Sequence, residues 1–127
     1  PVAKGPGGQP YNVNADIAAA KLASALKAVR LIFISDVNGV LEYPEQPEST
    51  IPRLVEAEVD PFIQAGVIYG GMLPKIRSAL SALRDGVGAV KMIDGRISHA
   101  VLLDTLVEPM LGTEILLQPR AEAPAVK

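Results

Sequence analysis

The chain contains no cysteine among its 127 residues. This absence excludes disulfide bonds, thiolate metal sites and cysteine nucleophiles, and it fits a reducing compartment, so we expect the protein to be cytoplasmic. A basic excess is missing as well, because 12 Lys and Arg residues stand against 14 Asp and Glu, with a formal net charge of −2. Nucleic acid is therefore not expected as a partner, since its binding requires neutralisation of many phosphates.

Long apolar stretches are also missing. No apolar run approaches the roughly 18 residues of a membrane span, and the first residues lack the basic-then-apolar order of a signal peptide. We expect no membrane association. The composition, with 49% hydrophobic and 20% charged residues, is that of one compact domain with a hydrophobic core.

The hydrophobic pattern alternates between short apolar runs and helical periodicity, which is typical of an α/β fold with an open, mostly parallel sheet flanked by helices. The pattern predicts helices at 16–28, 55–65 (interrupted by Pro61), 72–84 and 98–107, the last with Ser98 as N-cap, and strands at 31–34, 87–93 and 114–117. Residues 43–52 read as an exposed loop. We expect a flexible lead-in at 1–10, one domain at 11–118 and a disordered tail at 119–127.

Three segments carry the functional signal. Asn12-Val13-Asn14-Ala15-Asp16 leads into the first predicted helix, and Gly70-Gly71-Met72-Leu73-Pro74-Lys75 opens a later one. The second segment combines two glycines, a helix-initiating proline and a lysine, the parts needed to hold a phosphate at a helix N-terminus. Ser35-Asp36-Val37-Asn38-Gly39 follows a buried strand, and open α/β sheets bind ligands outside the carboxyl ends of their strands. Together the segments favour phosphoryl transfer.

Each of these residues also has a purely structural interpretation. Asp16 is a good helix N-cap, Asn12 and Asn14 are residues that often bond their own backbone in turns, and a lysine in a first helical turn is usually solvated. Lys75 is, however, poorly placed for the helix dipole, which disfavours a cation at the N-terminus. An anionic ligand would relieve that conflict.

From Tyr11 onward the chain resembles the C-terminal, nucleotide-binding half of the acetylglutamate kinases, a branch of the amino acid kinase family. Four blocks carry the resemblance in order: 11–16, 35–41, 70–75, and 93–96 followed by His99 and Gly112-Thr113. Each block is weak alone, whereas the ordered set is specific. The fold implied is that of the amino acid kinases.

The resemblance implies transfer of the γ-phosphoryl group of ATP, bound with Mg²⁺, to the side-chain carboxylate of N-acetyl-L-glutamate in arginine synthesis. Lys75 would contact the transferring phosphoryl group and Asp16 would orient the catalytic lysines, so we expect the two side chains to converge over a bound triphosphate. Asn12, with Asn14 near it, would bind the acetylglutamate. The implied nucleotide-binding residues are Ser35, Asp36, Val37, Asn38, Gly39, Val40, Leu41, Val67, Ile68, Tyr69, Gly70 and Gly71. No metal bound by protein ligands is implied.

A carboxylate acceptor is already a nucleophile and needs no imidazole base, so we predict a surface or packing role for His99. His99 and Gly112 also match an inhibitory arginine site of the family, whereas Pro109 and Met110 depart from it. Feedback inhibition by arginine therefore remains a hypothesis.

The largest departure from the family pattern is the N-terminal half, which in these kinases supplies a glycine-rich acceptor loop, a second lysine and an arginine. Two hypotheses follow. In the first, this chain is the ATP-binding half of an acetylglutamate kinase and acts as a homo-oligomer or in association with the missing half. In the second, it is a non-catalytic nucleotide-binding or regulatory module.

Overall fold

The computed structural model describes residues 1–107 and 111–119. Glu108, Pro109 and Met110, on which the arginine hypothesis depends, lie outside the described residues, as does most of the predicted tail. The described elements are, in chain order, β1 (Val2–Lys4), β2 (Pro10–Asn12), α1 (Ala15–Ala25), β3 (Leu31–Ser35), β4 (Arg53–Val55), α2 (Glu56–Gln64), α3 (Met72–Arg84), β5 (Val90–Asp94), α4 (Ala100–Leu106) and β6 (Thr113–Leu116).

The main sheet has four strands in the order β3-β5-β6-β4. β3 pairs in parallel with β5, and β4 in parallel with β6, whereas β5 and β6 are antiparallel. The sheet is thus mostly parallel and flanked by helices, which confirms the α/β prediction. β3 and β4 form its edges, and Ile34 on β3 has 57% of its surface exposed.

The core lies between one face of this sheet and the helices α1 and α3. Neighbouring residues of a strand point to opposite faces, so Phe33 and Met92 reach the core while Lys91 points away from it. Lys91 is buried on the other face, where its ammonium contacts the Asp104 carboxylate of α4. The α1 and α3 packing uses small residues, Ala20, Ala23 and Ala79, which let the two helices approach closely.

Several predicted boundaries are wrong. α1 ends at Ala25 rather than at residue 28, because Lys27 takes a left-handed conformation with φ 50°. α4 starts at Ala100 with His99 as its N-cap residue, so Ser98 does not cap it; His99 has φ 60° and makes no side-chain capping bond. β5 runs from Val90 to Asp94, later than predicted, whereas α3 keeps its predicted bounds.

β1 and β2 pair as an antiparallel hairpin, whereas the sequence predicted a flexible lead-in at 1–10. α2 continues through Pro61, where the sequence predicted an interruption. The loop 43–52 is mostly exposed as predicted, and it contains a short 3-10 helix at Pro47–Ser49. The division into lead-in, domain and tail stays a prediction.

Candidate functional site

A pocket of about 330 Å³ lies at the carboxyl ends of β3 and β5. Its volume falls in the range of sites for small molecules. The lining comes from the loop after β3, the loop before α3 and the first turn of α3. The lining residues are Ser35, Asp36, Val37, Gly39, Leu41, Pro44, Val67, Tyr69, Gly71, Met72, Lys75 and Met92.

The loop after β3 is anchored to the sheet through Thr113. The Thr113 hydroxyl accepts a hydrogen bond from the Val40 N–H at 2.8 Å and donates one to the Ile51 carbonyl at 2.7 Å. Gly39 makes this approach possible, since it has φ 73° and a Cβ there would overlap the Thr113 side chain. Asn38 turns away from the pocket and donates to the Thr50 hydroxyl at 2.9 Å. These contacts hold the loop in shape.

Asp16 and Lys75 form an ion pair beside the pocket. Lys75 Nζ lies 2.9 Å from Asp16 Oδ1, and the two side chains are 27% and 17% exposed. Lys75 Nζ also lies 5.9 Å from the centroid of the Phe33 ring. The predicted convergence of these two side chains is present in the structure.

Local helix geometry explains how the pair forms. The N-cap of α1 is Asn14, whose Oδ1 accepts from the Asp16 N–H at 2.9 Å and from the Ile17 N–H at 3.1 Å. Asp16 is therefore a first-turn residue rather than the cap, and its carboxylate is free to meet Lys75. Partly exposed ion pairs contribute at most about 1 kcal/mol to stability, so the pair matters more for the position of the ammonium than for folding.

Gly70 and Gly71 leave open space before α3. A Cβ at either position would meet no atom within 4 Å, and Gly70 has φ 52°, which favours glycine. The N–H groups of Met72 and Leu73 bond the carbonyls of Tyr69 and Gly70 at 3.1 and 3.3 Å. A ligand could thus approach the backbone at the two glycines without a steric barrier.

Asp94 and Arg96 form a second charged pair, at the end of β5. The Asp94 carboxylate accepts from the Arg96 backbone N–H at 2.8 Å, from Nε at 2.9 Å and from Nη2 at 2.8 Å. The side-chain hydrogen bonds from Arg96 hold the pKa of Asp94 below its ordinary value. The same bonds raise the pKa of Arg96, and nearby Asp36 adds to that rise.

The Asp94 pair predicts an acid dependence of stability. Since the pKa of Asp94 is lower in the folded chain than in the unfolded one, the unfolded state binds more protons below about pH 4, and stability rises with pH there. The contribution is complete above about pH 4 and is lost as the pH falls through the folded pKa. Urea unfolding at several pH values between about 5 and 3 gives the free energy of unfolding as a function of pH. The slope of that free energy against pH should be smaller for Arg96→Gln than for wild type.

A matched control for that measurement is Arg77→Gln, which removes an exposed guanidinium from α3. It should keep the wild-type slope. Equal slopes for wild type and Arg96→Gln would show that Arg96 does not set the acid response of Asp94.

The pocket contains most, but not all, of the predicted nucleotide-binding residues. Eight of them line it: Ser35, Asp36, Val37, Gly39, Leu41, Val67, Tyr69 and Gly71. Asn38, Val40, Ile68 and Gly70 do not, because Asn38 bonds Thr50, Val40 and Ile68 are buried in the core, and Gly70 lies just outside the lining. Asn12 is exposed in β2, and the side-chain oxygen Oδ1 of Asn14 accepts the capping hydrogen bonds of α1.

Sequence reasoning missed Pro44, Met72, Met92 and the anchoring role of Thr113. Met92 could have been found from alternation, because it pairs with Phe33 of the neighbouring strand and shares its face. No sequence signal identified Pro44, which lies in a loop with many prolines. Within residues 1–107 and 111–119, no group of three or more histidine or acidic side chains is arranged to hold a metal ion. The same residues contain no helix that could cross a membrane.

Comparison with protein-family models matches residues 1–94 to the amino acid kinase family. Among curated proteins, an acetylglutamate kinase of Symbiobacterium thermophilum is 42% identical over 116 residues, covering 91% of this chain and 40% of the relative. An acetylglutamate kinase of Akkermansia muciniphila is 46% identical over 112 residues, covering 88% of this chain and 38% of the relative. The chain thus spans about two fifths of the length of these relatives.

Among solved structures, the N-acetylglutamate synthase of Neisseria gonorrhoeae, complexed with coenzyme A and L-arginine, superposes with a TM-score of 0.80. It is 24% identical, and the match covers 93% of this chain and 27% of that protein. At this identity the likeness concerns the fold alone.

Proposed function

Because this chain belongs to the amino acid kinase family, we propose that it supplies the ATP-binding part of an acetylglutamate kinase. The reaction is attack of the side-chain carboxylate oxygen of N-acetyl-L-glutamate on the γ-phosphorus of ATP. A new P–O bond forms, the bond to the bridging oxygen breaks, and ADP leaves. No proton has to be removed from the nucleophile, so catalysis consists of positioning two anions and compensating charge on the moving phosphoryl group.

The observation that carries this proposal is the Asp16–Lys75 ion pair beside a pocket at the carboxyl ends of two parallel strands. A lysine ammonium is a flexible point charge that loses rotamer freedom when it is held. Asp16 already holds the Lys75 ammonium before the substrate binds, so less rotamer freedom is lost during the reaction. Lys75 then contacts the transferring phosphoryl oxygens as a cation.

ATP occupies the pocket in this proposal, with its base and ribose among the residues of the 35–41 loop and its phosphates near Gly70, Gly71 and Lys75. These glycines leave room for backbone N–H groups to reach an anion. Mg²⁺ would be held mainly by the phosphates, since this ion usually binds through few protein ligands and keeps much of its water. It would supply positive charge in addition to that of Lys75 near the phosphoryl group.

Asn12 and Asn14 are proposed to bind the acetylglutamate. Both lie at the approach to α1, four and two residues before Asp16. The Asn14 Oδ1 already accepts two backbone hydrogen bonds, which leaves its Nδ2 group as the donor for an acceptor carboxylate or amide carbonyl. Asn12 is exposed and offers both a donor and an acceptor.

A second candidate is a nucleotide-binding or regulatory module without catalytic activity. The observation that favours it is the pocket itself, which is large enough for a small molecule and could bind a nucleotide without transfer of a phosphoryl group. Such a module would bind the nucleotide and release it unchanged. Both candidates bind ATP, so binding alone does not separate them.

A hybrid enzyme separates the two candidates. In this hybrid enzyme the matched segment of the Akkermansia muciniphila acetylglutamate kinase is replaced by this chain. We expect ADP release that depends on acetylglutamate, at a rate well above that of the same mixture without the acceptor. A folded, monodisperse hybrid enzyme that binds ATP in a calorimeter and releases no ADP would contradict the catalytic proposal and favour the module.

A further inference from the structure

The middle of the 35–41 loop hangs between two fixed points. At its first end, the Ser35 carbonyl accepts a hydrogen bond from the Gly95 N–H at 2.8 Å. At its second end, the side chain of Val40 is buried and its backbone is hydrogen-bonded on both sides. In the part of the chain that the structure describes, the backbone of 36–39 bonds only within the loop. Three of these four residues line the pocket, so their positions depend on the two end points.

The hydroxyl of Thr113 connects the second end point to the sheet. It accepts from the Val40 N–H at 2.8 Å and donates to the Ile51 carbonyl at 2.7 Å. The Ile51 N–H in turn donates to the Val40 carbonyl at 2.8 Å, so three hydrogen bonds form a closed ring. Thr113 has no exposed surface, and solvent therefore does not compete for these bonds.

Thr113 belongs to the same face of the sheet as the pocket. It is the register partner of Met92, which lines the pocket, and Met92 is the partner of Phe33 on β3. Side chains directly opposite each other on neighbouring strands point to the same face. The hydroxyl thus extends from a strand that is held in the sheet to a loop that is not.

Only a hydroxyl can make both bonds from this position, since it combines a donor with acceptor lone pairs. Valine has nearly the same shape and would leave the Val40 N–H and the Ile51 carbonyl without their partner. Buried backbone groups that lose a partner are costly, so the loop would have to shift to satisfy them. Gly39 packs directly on the hydroxyl, because a Cβ at that position would overlap the Thr113 side chain.

We propose that Thr113 is a positioning residue for nucleotide binding, whose hydroxyl holds the 35–41 loop in the shape that receives the base and ribose. The inference rests on the proposed function, since it requires the pocket to bind ATP. Thr113 acts through the backbone of Val40. It lies outside the pocket lining and contacts neither the nucleotide nor the reacting atoms.

The test is calorimetric binding of MgATP and MgADP to this chain. Thr113→Val should weaken both by about tenfold, the effect of one lost hydrogen bond. The two losses should be equal, because the base and ribose are common to both nucleotides. Thr113→Ser keeps the hydroxyl, so its affinities should stay close to those of wild type. In wild type the Val40 amide should also exchange slowly with solvent, although it lies in a loop.

Ile115→Val is the control for a purely structural role. It shortens another fully buried side chain of β6 and removes no hydrogen bond to the loop. Its free energy of unfolding should fall, while its nucleotide affinities stay those of wild type, because the folded state still dominates. Weaker nucleotide binding by Ile115→Val, in proportion to its lower stability, would show that Thr113 supports only the fold and would overturn the inference.

The remaining outcomes are equally decisive. Wild-type affinities in folded Thr113→Val, or Thr113→Ser as weak as Thr113→Val, would overturn the inference and leave the proposed function intact. A loss for MgATP alone would overturn it as well. Fast exchange of the Val40 amide in wild type would do the same without any variant, even if Thr113→Val fails to fold. No nucleotide binding by wild type would overturn the proposed function itself.

Discussion

Lys75→Ala in the hybrid enzyme should lower kcat by about 10²- to 10³-fold, the effect of removing one group that stabilises developing charge. The affinity for ATP should fall much less, because the pocket keeps its other lining residues. Lys75 is held by Asp16, and in the proposed mechanism it contacts the phosphoryl group during transfer, so its largest contribution would be made in the transition state. Steady-state kcat together with calorimetric ATP affinity checks this result.

Two further variants test why kcat falls in Lys75→Ala. Arg77→Ala removes another cation from α3, two residues along and on an exposed face, and should leave kcat unchanged. Asp16→Asn keeps the size of the side chain and removes the charge that holds Lys75, so kcat should fall while the fold survives. In the Lys75→Ala background Asp16→Asn should cost little more. Equal losses of kcat and ATP affinity in Lys75→Ala would count against the transition-state role.

Gly112→Ala should destabilise the chain by about 3 kcal/mol or more, which combines overpacking with an unfavourable backbone conformation. Gly112 has φ 64°, and a Cβ there would overlap the Met92 carbonyl of the neighbouring strand. The backbone of β5 would have to move at Met92, which lines the pocket. Urea unfolding of the chain measures the change in free energy, and the melting temperature should fall by more than about 10 °C.

Gly66→Ala is the matched control for the two causes. Gly66 has a similar backbone conformation, φ 75°, but a Cβ there would meet no atom within 4 Å. It therefore isolates the cost of the left-handed conformation, about 1 kcal/mol. If Gly112→Ala and Gly66→Ala cost the same, the contact with Met92 is not the reason for glycine at 112.

The sequence was informative where the physical signal is periodic. The apolar run 31–34 predicted the strand β3, and the helical spacing of apolar residues predicted α3, because burial of one helix face leaves a repeated pattern. The apolar run did not predict the position of β3 at the sheet edge, where Ile34 is exposed rather than buried. The contact between Asp16 and Lys75 was implied by the family resemblance. It could not come from spacing alone, since 59 residues separate the two positions.

The features that the sequence did not predict depend on local dihedral angles and on contacts between distant residues, which leave little trace in a sequence. Asn14 and Asp16 are both good capping residues, and only the backbone decides that Asn14 is the cap. His99 adopts a left-handed conformation that displaces the start of α4 past Ser98. Thr113 anchors Val40 across 73 residues of chain, so no local pattern could reveal it.

The position of β3 at the sheet edge has a practical consequence. Its outer backbone N–H and C=O groups have no strand partner within the described part of the chain, and Ile34 is exposed beside them. An edge of this kind, without a charged or proline residue to protect it, is a template on which other chains can add strands and aggregate. Isolated preparations of the chain should be kept dilute, and an Ile34→Lys substitution is the rational means of improving their solubility.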